Sequence, residues 1–519
     1  MGLKNLLGID KSQGDYEDDH EALLDQVLYT VPGTDTDITW ADANQGTLMC
    51  GASGSGKSSG PGAFAAKSML RNGFGFCVLC AKPDEAGRWI KYAQETGREK
   101  DLVLFNKKSG LSFNFLKYEL ERRGEGSGEI ISAVNALMNI NEQSRIHLSG
   151  GDGKEEPFWN NSLRRINSRA ISLLVLADEE VSVSNMRKLV AGCFAEDEPN
   201  LYLHLKKLVT TEDNIDPLER QQAQEDLDNW VNSSYFLALI EKVSEMTFGS
   251  QDQQEEADMV LNYWISEFPR VPDKTSSTII ESFMGVIEPF MTQGILKEQF
   301  SSGLSPELLP ENIIDHNSLV IVDFALKEYG LSAIFAATIF KSSFMAAMER
   351  RKIEQESNPK PVSLWIDEYQ SFCSPMTDTL FQTTARSSWV ATVYLTQNIN
   401  NLYFVMGHNQ PQARAKSLLG NLNLKYFASN ACTETNKWAS DQIGQHLTDF
   451  ESLSIGKNME LSKSKNQRMQ HRITPDHFTT LRTGRKINNY KVDTVVFKAG
   501  KKWGRDGQNF ALVSFDQRA

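Results

Sequence analysis

The residues Gly51-Ala52-Ser53-Gly54-Ser55-Gly56-Lys57-Ser58 satisfy GxxxxGK[ST], the pattern of a phosphate-binding loop. Its glycines let the backbone curl until successive N–H groups face phosphate oxygens. A helix beginning there presents its positive N-terminus to the same anion. In such a loop Lys57 reaches the β- and γ-phosphates, Ser58 ligates Mg2+, and Ser59 extends the cradle. The sequence therefore predicts ATP and Mg2+ as cofactors.

A second motif, Val362-Ser363-Leu364-Trp365-Ile366-Asp367-Glu368, is an apolar strand ending in two carboxylates. Asp367 is expected to hold Mg2+, and Glu368 to orient and deprotonate the attacking water. A glutamate at that place favours hydrolysis over transfer to a small substrate. The rival strand Val320–Asp323 ends in Asp-Phe and reads as a core strand. Downstream, Val390–Leu395 runs into Thr396-Gln397-Asn398. Ligands gather at the carboxyl ends of parallel strands, so Gln397 is a candidate γ-phosphate sensor. Arg386, just before that strand, is a candidate arginine finger supplied to a neighbouring subunit.

The elements around these motifs alternate between strand and helix. Thr47–Cys50, Phe74–Ala81 and Leu102–Phe105 are short apolar runs of strand length, with a helical pattern from about Lys57 to Arg71. That alternation predicts an α/β fold with a mostly parallel sheet. From Ile130 to about Gln293 the period becomes helical, as in Phe158–Leu176, Leu218–Leu239 and Ile279–Met291, with an exposed loop at Leu148–Glu156. The α/β texture resumes at Ser318–Phe324, and a long helix follows over about Ser332–Glu354. Further strands are expected at Leu424–Ala428, Val492–Lys498 and Phe510–Phe515. The predicted division is an N-terminal arm (1–45), a P-loop ATPase domain in two parts (46–125 and 294–519) and an all-α insertion (126–293).

Charge is segregated along the chain. The net charge is −13 over 519 residues, and Asp178–Asp258 alone carries −13, whereas Lys457–Arg505 carries +10. The basic segment is a candidate for phosphate contacts with DNA, and the acidic one for contacts with basic proteins. Six scattered cysteines suit a reducing cytoplasm. Cys77 and Cys80, with no second pair nearby, read as buried strand residues. No apolar run approaches the roughly 18 uninterrupted residues that cross a bilayer. Met1–Ile9 is weakly amphipathic and reads as a frayed terminus.

Taken together, these motifs resemble the type IV secretion coupling proteins, the TraG/TraD-like conjugative DNA-transfer ATPases of the FtsK/HerA superfamily. Besides the P-loop, Asp367-Glu368, Arg386 and Gln397, the resemblance rests on Cys80-Ala81-Lys82-Pro83-Asp84-Glu85, Phe105-Asn106, Phe113-Asn114-Phe115-Leu116 and Phe158-Trp159. The tail Ile473-Thr474-Pro475-Asp476 with Leu481-Arg482-Thr483-Gly484 also carries it. The family's aspartate before Lys82 is absent, and Phe115 stands where the family has proline. The resemblance implies a RecA-like motor domain, a hexameric ring with ATP between subunits, and DNA or a DNA–protein substrate moved through the pore. It implies adaptor or secretion components as partners. The transmembrane helices usual in the family are not expected here, so the chain is placed in the cytoplasm, peripheral to the inner membrane through a partner. Two other readings stay open: an acidic platform recruiting protein substrates, with ATP regulating assembly, and a soluble HerA-like motor in a DNA-processing or defence complex.

Overall fold

The computed structural model describes residues 22–148, 157–195, 197–211, 215–407, 410–455, 461–503 and 507–519. Of the expected loop Leu148–Glu156, Leu148 ends the helix Ile130–Leu148, and 149–156, like the amphipathic 1–9, lie outside the described residues. The chain divides into a sheet unit (1–105, 310–328 and 344–519) and a helical unit (106–309 and 329–343).

The strands of the sheet unit are, in chain order, β1 (Val27–Thr30), β2 (Asp37–Thr39), β3 (Thr47–Cys50), β4 (Gly75–Cys80), β5 (Leu102–Phe105), β6 (Leu319–Asp323) and β7 (Val362–Ile366). They continue with β8 (Val390–Thr396), β9 (Leu424–Phe427), β10 (Gln445–Ile455), β11 (Leu461–His471), β12 (Lys491–Lys498) and β13 (Phe510–Asp516). Nine of them form one sheet, ordered β13-β12-β9-β3-β8-β7-β4-β6-β5. The seven from β9 to β5 are parallel; β12 joins β9 antiparallel and β13 returns against it. Parallel strands covered on both faces lose polar alternation. Accordingly every residue of β3, β4, β7 and β8 is buried. The architecture is the expected α/β, RecA-like one.

The N-terminal segment is less of an arm than its composition suggests. β1 and β2 form a small ribbon. Leu28, Ile38 and Trp40 enter the main core, and the Tyr29 hydroxyl lies 2.6 Å from that of Tyr426 on β9. The chain also forms a long antiparallel ribbon of β10 and β11 that the sequence does not predict. Both of its faces carry polar and charged residues, so no alternation signals it.

The helical unit contains Ile130–Leu148, Pro157–Leu176, Val183–Ala191, Glu198–Thr210, Gln251–Asn262 and Asp273–Ile287, among others. Its centre packs Trp264 against Phe236 and Phe268 edge to face. The single helix expected over Leu218–Leu239 is two, Pro217–Ser233 and Tyr235–Glu245. The break falls at Ser234, whose hydroxyl accepts from the Leu237 N–H at 3.3 Å and caps the second helix. Helix Leu331–Glu349 is, by length and composition alone, apolar enough to cross a membrane, but it is largely buried within the protein.

Candidate functional site

β3 delivers the chain into the loop 51–57 at the carboxyl end of the sheet. Hydrogen bonds from the Gly51 N–H to the Thr396 carbonyl (3.2 Å) and from the Ala52 N–H to that of Ser429 (2.9 Å) pin the loop between the ends of β8 and β9. Gly56 has φ +85°, and a Cβ there would sit 2.5 Å from a Val492 methyl. Both the backbone conformation and the packing therefore require glycine. The helix after the loop opens with a wide turn, Ser58–Gly62, before regular Ala63–Arg71. Pro61 has no N–H to return to Lys57, so Gly62 donates to the Lys57 carbonyl instead, at 2.9 Å. A cavity of about 450 Å³ beside the loop is lined by Ser53, Gly54, Asn430, Thr483 and Arg485 among others. That is room for a small-molecule ligand.

Strand order brings the remaining candidates together. β8 lies between β3 and β7, so Gln397 emerges between the P-loop and the Asp367-Glu368 pair. The Ser58 hydroxyl donates to Asp367 Oδ2 at 2.9 Å. Two hard oxygens at that separation suit neighbouring ligands of an octahedral ion with bonds of about 2.0–2.1 Å, the geometry of Mg2+. Glu368 stands in the left-handed region (φ 51°, ψ 49°), a conformation costing a non-glycine residue about 1–3 kcal/mol. Its carboxylate accepts from Lys82 Nζ at 2.5 Å, Gln370 Nε2 at 2.7 Å and Gln397 Nε2 at 3.1 Å.

The electrostatics follow from crowding. Burial pushes the Asp367 carboxyl up, but a hydrogen bond from Glu85, the Lys82 and Lys57 ammoniums and the Ser58 hydroxyl outweigh it and hold Asp367 below the usual range. Glu85 goes the other way, raised by burial and by the neighbouring Asp367. Burial likewise raises Glu368, and the hydrogen bond and charge of Lys82, aided by Lys57 and Gln370, bring it below its ordinary value.

Lys57, Ser58, Asp367, Glu368 and Gln397 thus converge. Arg386 does not join them. It is exposed in the turn before β8 and lies at the amino end of that strand, the end opposite Gln397. Lys82, Glu85 and Gln370 are neighbours of the site that sequence reasoning misses. Lys82 and Glu85 stand in a motif noted for its resemblance alone; that β4 lies next to β7 is a matter of strand order. The charge of the C-terminal segment is also partly spent. Lys463 pairs with Glu451, Lys465 with Asp449, Arg482 with Asp493, Lys491 with Asp516, and Lys498 and Lys501 with Asp42. The sequence offers these lysines and Arg482 as phosphate contacts, but acids facing them in the fold already occupy them.

A parallel sheet with an extra strand between the P-loop strand and a strand ending in Asp-Glu defines a RecA-like P-loop protein. Residues 361–483 match the family model described as the TraM recognition site of TraD and TraG. Three solved structures of the plasmid coupling protein TrwB are similar at 14% sequence identity. Unbound TrwBdeltaN70 aligns with a TM-score of 0.58, covering 98% of this chain and 92% of that one. The complex with the ATP analogue ADPNP gives 0.56, with coverage of 95% and 91%. The complex with ADP and Mg2+ gives 0.57, with 95% and 89%. No curated protein sequence matches the chain. The likeness to conjugative coupling proteins read from the motifs is therefore met both by the family model and by the fold.

Proposed function

We propose that this chain is an ATP-hydrolysing motor subunit of the coupling-protein kind, working in a hexameric ring to move DNA or a DNA–protein substrate. One observation carries the hydrolytic part: a buried glutamate, Glu368, is set beside the Ser58–Asp367 pair and touched by Gln397. When bound, Mg2+ would supply charge neutralisation to the phosphates, with Ser58 and Asp367 as its protein ligands. Lys57 and the loop N–H groups hold the β- and γ-phosphates in line. Glu368 takes the proton of the attacking water as its oxygen bonds to the γ-phosphorus. The bond from that phosphorus to the β,γ-bridging oxygen breaks, leaving ADP and phosphate. Gln397 holds the carboxylate and senses the γ-phosphate.

Arg386 points this reading beyond one subunit. It lies exposed at the far end of its own sheet, away from its own subunit's site, and we read it as serving a neighbour's nucleotide in a ring with ATP between subunits. The basic residues left over from the internal ion pairs are the source of DNA contacts, and binding through them falls as salt rises. The family model suggests an adaptor protein as a further partner for 361–483. The ribbon inside that segment exposes Leu447, Phe450 and Met469, side chains that a protein partner would cover.

The test is ATP turnover by wild type and Glu368→Gln, with and without single- and double-stranded DNA. The variant is expected to bind ATP and to lose turnover by about 10²–10⁴-fold, the usual worth of a general base. Near-normal turnover would remove Glu368 from the mechanism, and wild-type turnover indifferent to both DNAs would remove the DNA motor.

A further inference from the structure

The Glu368 carboxylate takes three donors, filling three of the roughly four acceptor positions on its two oxygens. Lys82 holds Oε1 from the end of β4, on one side of β7, while Gln370 and Gln397 hold Oε2. A general base needs a lone pair facing the water it deprotonates. A charged donor opposes the proton uptake this requires, so Glu368 acts best once that donor lets go.

The three donors are not equivalent. Two are neutral amides, and Gln370 follows Glu368 by two residues. Lys82 alone carries charge, and its side chain is 41% exposed where that of Glu368 is 9%. Its foot is fixed: Glu85 Oε2 accepts from the Ala81 N–H at 2.6 Å and from the Lys82 N–H at 3.2 Å. Beyond that pivot, the four-carbon stem lets the ammonium swing without moving the backbone. A γ-phosphate held by Lys57 brings more negative charge to this corner than one carboxylate does. ADP brings none there.

We propose that Lys82 is a latch on Glu368: its ammonium holds the base engaged until a γ-phosphate draws it away. This rests on the ATPase reading above and adds a device to it. Lys82 is a positioning residue, acting through Glu368. The latch ties release of the base to the presence of the group to be hydrolysed, so an ADP-bound subunit keeps its base occupied.

A double-mutant cycle on nucleotide binding tests this without relying on turnover. The measured quantity is the preference for ADPNP over ADP at equilibrium, for wild type, Glu368→Gln, Lys82→Met and the double variant. Glu368→Gln frees Lys82 from its ion pair, so the preference should rise by about tenfold, or 1.4 kcal/mol. In the Lys82→Met background that gain should vanish. ADP affinity within about twofold across the set shows that the loop is intact. Lys82→Arg should keep part of the coupling, since it retains charge but swings on a stiffer, forked head. Additive effects of Glu368→Gln and Lys82→Met would overturn the latch, as would equal losses of ADP and ADPNP binding in Lys82→Met. Failure of the ATPase reading would show instead as unimpaired turnover in Glu368→Gln, an outcome independent of the cycle.

Discussion

At the amino end of the central sheet, Asp42 faces Lys498 and Lys501 and also receives the Thr39 N–H in a capping box. At the carboxyl end, Glu85, Asp367 and Glu368 crowd around Lys57 and Lys82. Both clusters are substantially buried and both pair lysine with carboxylate, but they are built on opposite terms. The Asp42 cluster has one acid, two cations and ordinary helical geometry, so its single carboxylate is held from two sides. The Glu368 cluster has three acids, one of them, Glu85, pushed up by burial and by Asp367, and a left-handed backbone at Glu368. A cluster that satisfies itself holds structure together. One that leaves carboxylates competing for cations keeps free energy in reserve for a ligand that rearranges them. Nucleotide is the ligand proposed for the carboxyl end.

Variants at the two ends should separate these roles. The largest effect concerns Arg386, which sits at the quiet end yet is assigned to a neighbour's busy end. Arg386→Ala should lower ATP turnover by about 10³-fold or more while leaving ADP affinity and unfolding temperature unchanged, because the side chain is exposed. Mixing it with Lys57→Ala subunits should recover part of the activity; no recovery would place Arg386 outside the neighbour's site. Next, Asp42→Ala strands two lysines and removes a helix cap. It should cost about 2–3 kcal/mol in urea unfolding, and the surviving folded protein should keep normal nucleotide affinity. A folded variant with impaired ADP binding would erase the contrast between the ends.

The smallest effect is a difference in pH response. Burial raises Asp42, but Lys501, the Thr39 N–H and Lys498 bring it below its ordinary value of 3.8. A depressed carboxylate contributes stability above that value, lost as pH falls through the folded one. Burial and Asp367 raise Glu85 from 4.5 to about 9. A raised carboxyl contributes stability fully present below its ordinary value, lost as pH rises through the folded one. Asp42→Asn should therefore flatten the acid limb of the stability curve, and Glu85→Gln the alkaline limb. Unfolding midpoints measured from about pH 3 to pH 9 check both, and matching profiles for the two variants would show that the ends do not differ.

Much of this is legible in the sequence because it is local. Gly51–Ser58 is a contiguous pattern whose backbone conformation its own glycines require. β7 and β8 announce themselves as apolar runs ending in polar residues, so Asp367, Glu368 and Gln397 stand out before any geometry. Lys82 is visible in a motif and yet carries no role there, because its partner lies 286 positions away. The β10–β11 ribbon is invisible for a different reason: with polar residues on both faces, its pattern has no period to read. The basic tail misleads in the same way as any charge count, since Asp42 and Asp449 neutralise it from outside the segment or across a strand pair.

By itself, then, the sequence determined the loop that cradles phosphate, the carboxylates that follow a strand, and the alternation that makes a parallel sheet. These depend on backbone conformation and on residues a few positions apart. The tertiary structure decided which strand lies beside which, and with it that Glu368 is held by Lys82 on one side and Gln397 on the other, while Arg386 is carried to the opposite end. Adjacency across a sheet is set by packing among distant segments, and no short-range pattern encodes it.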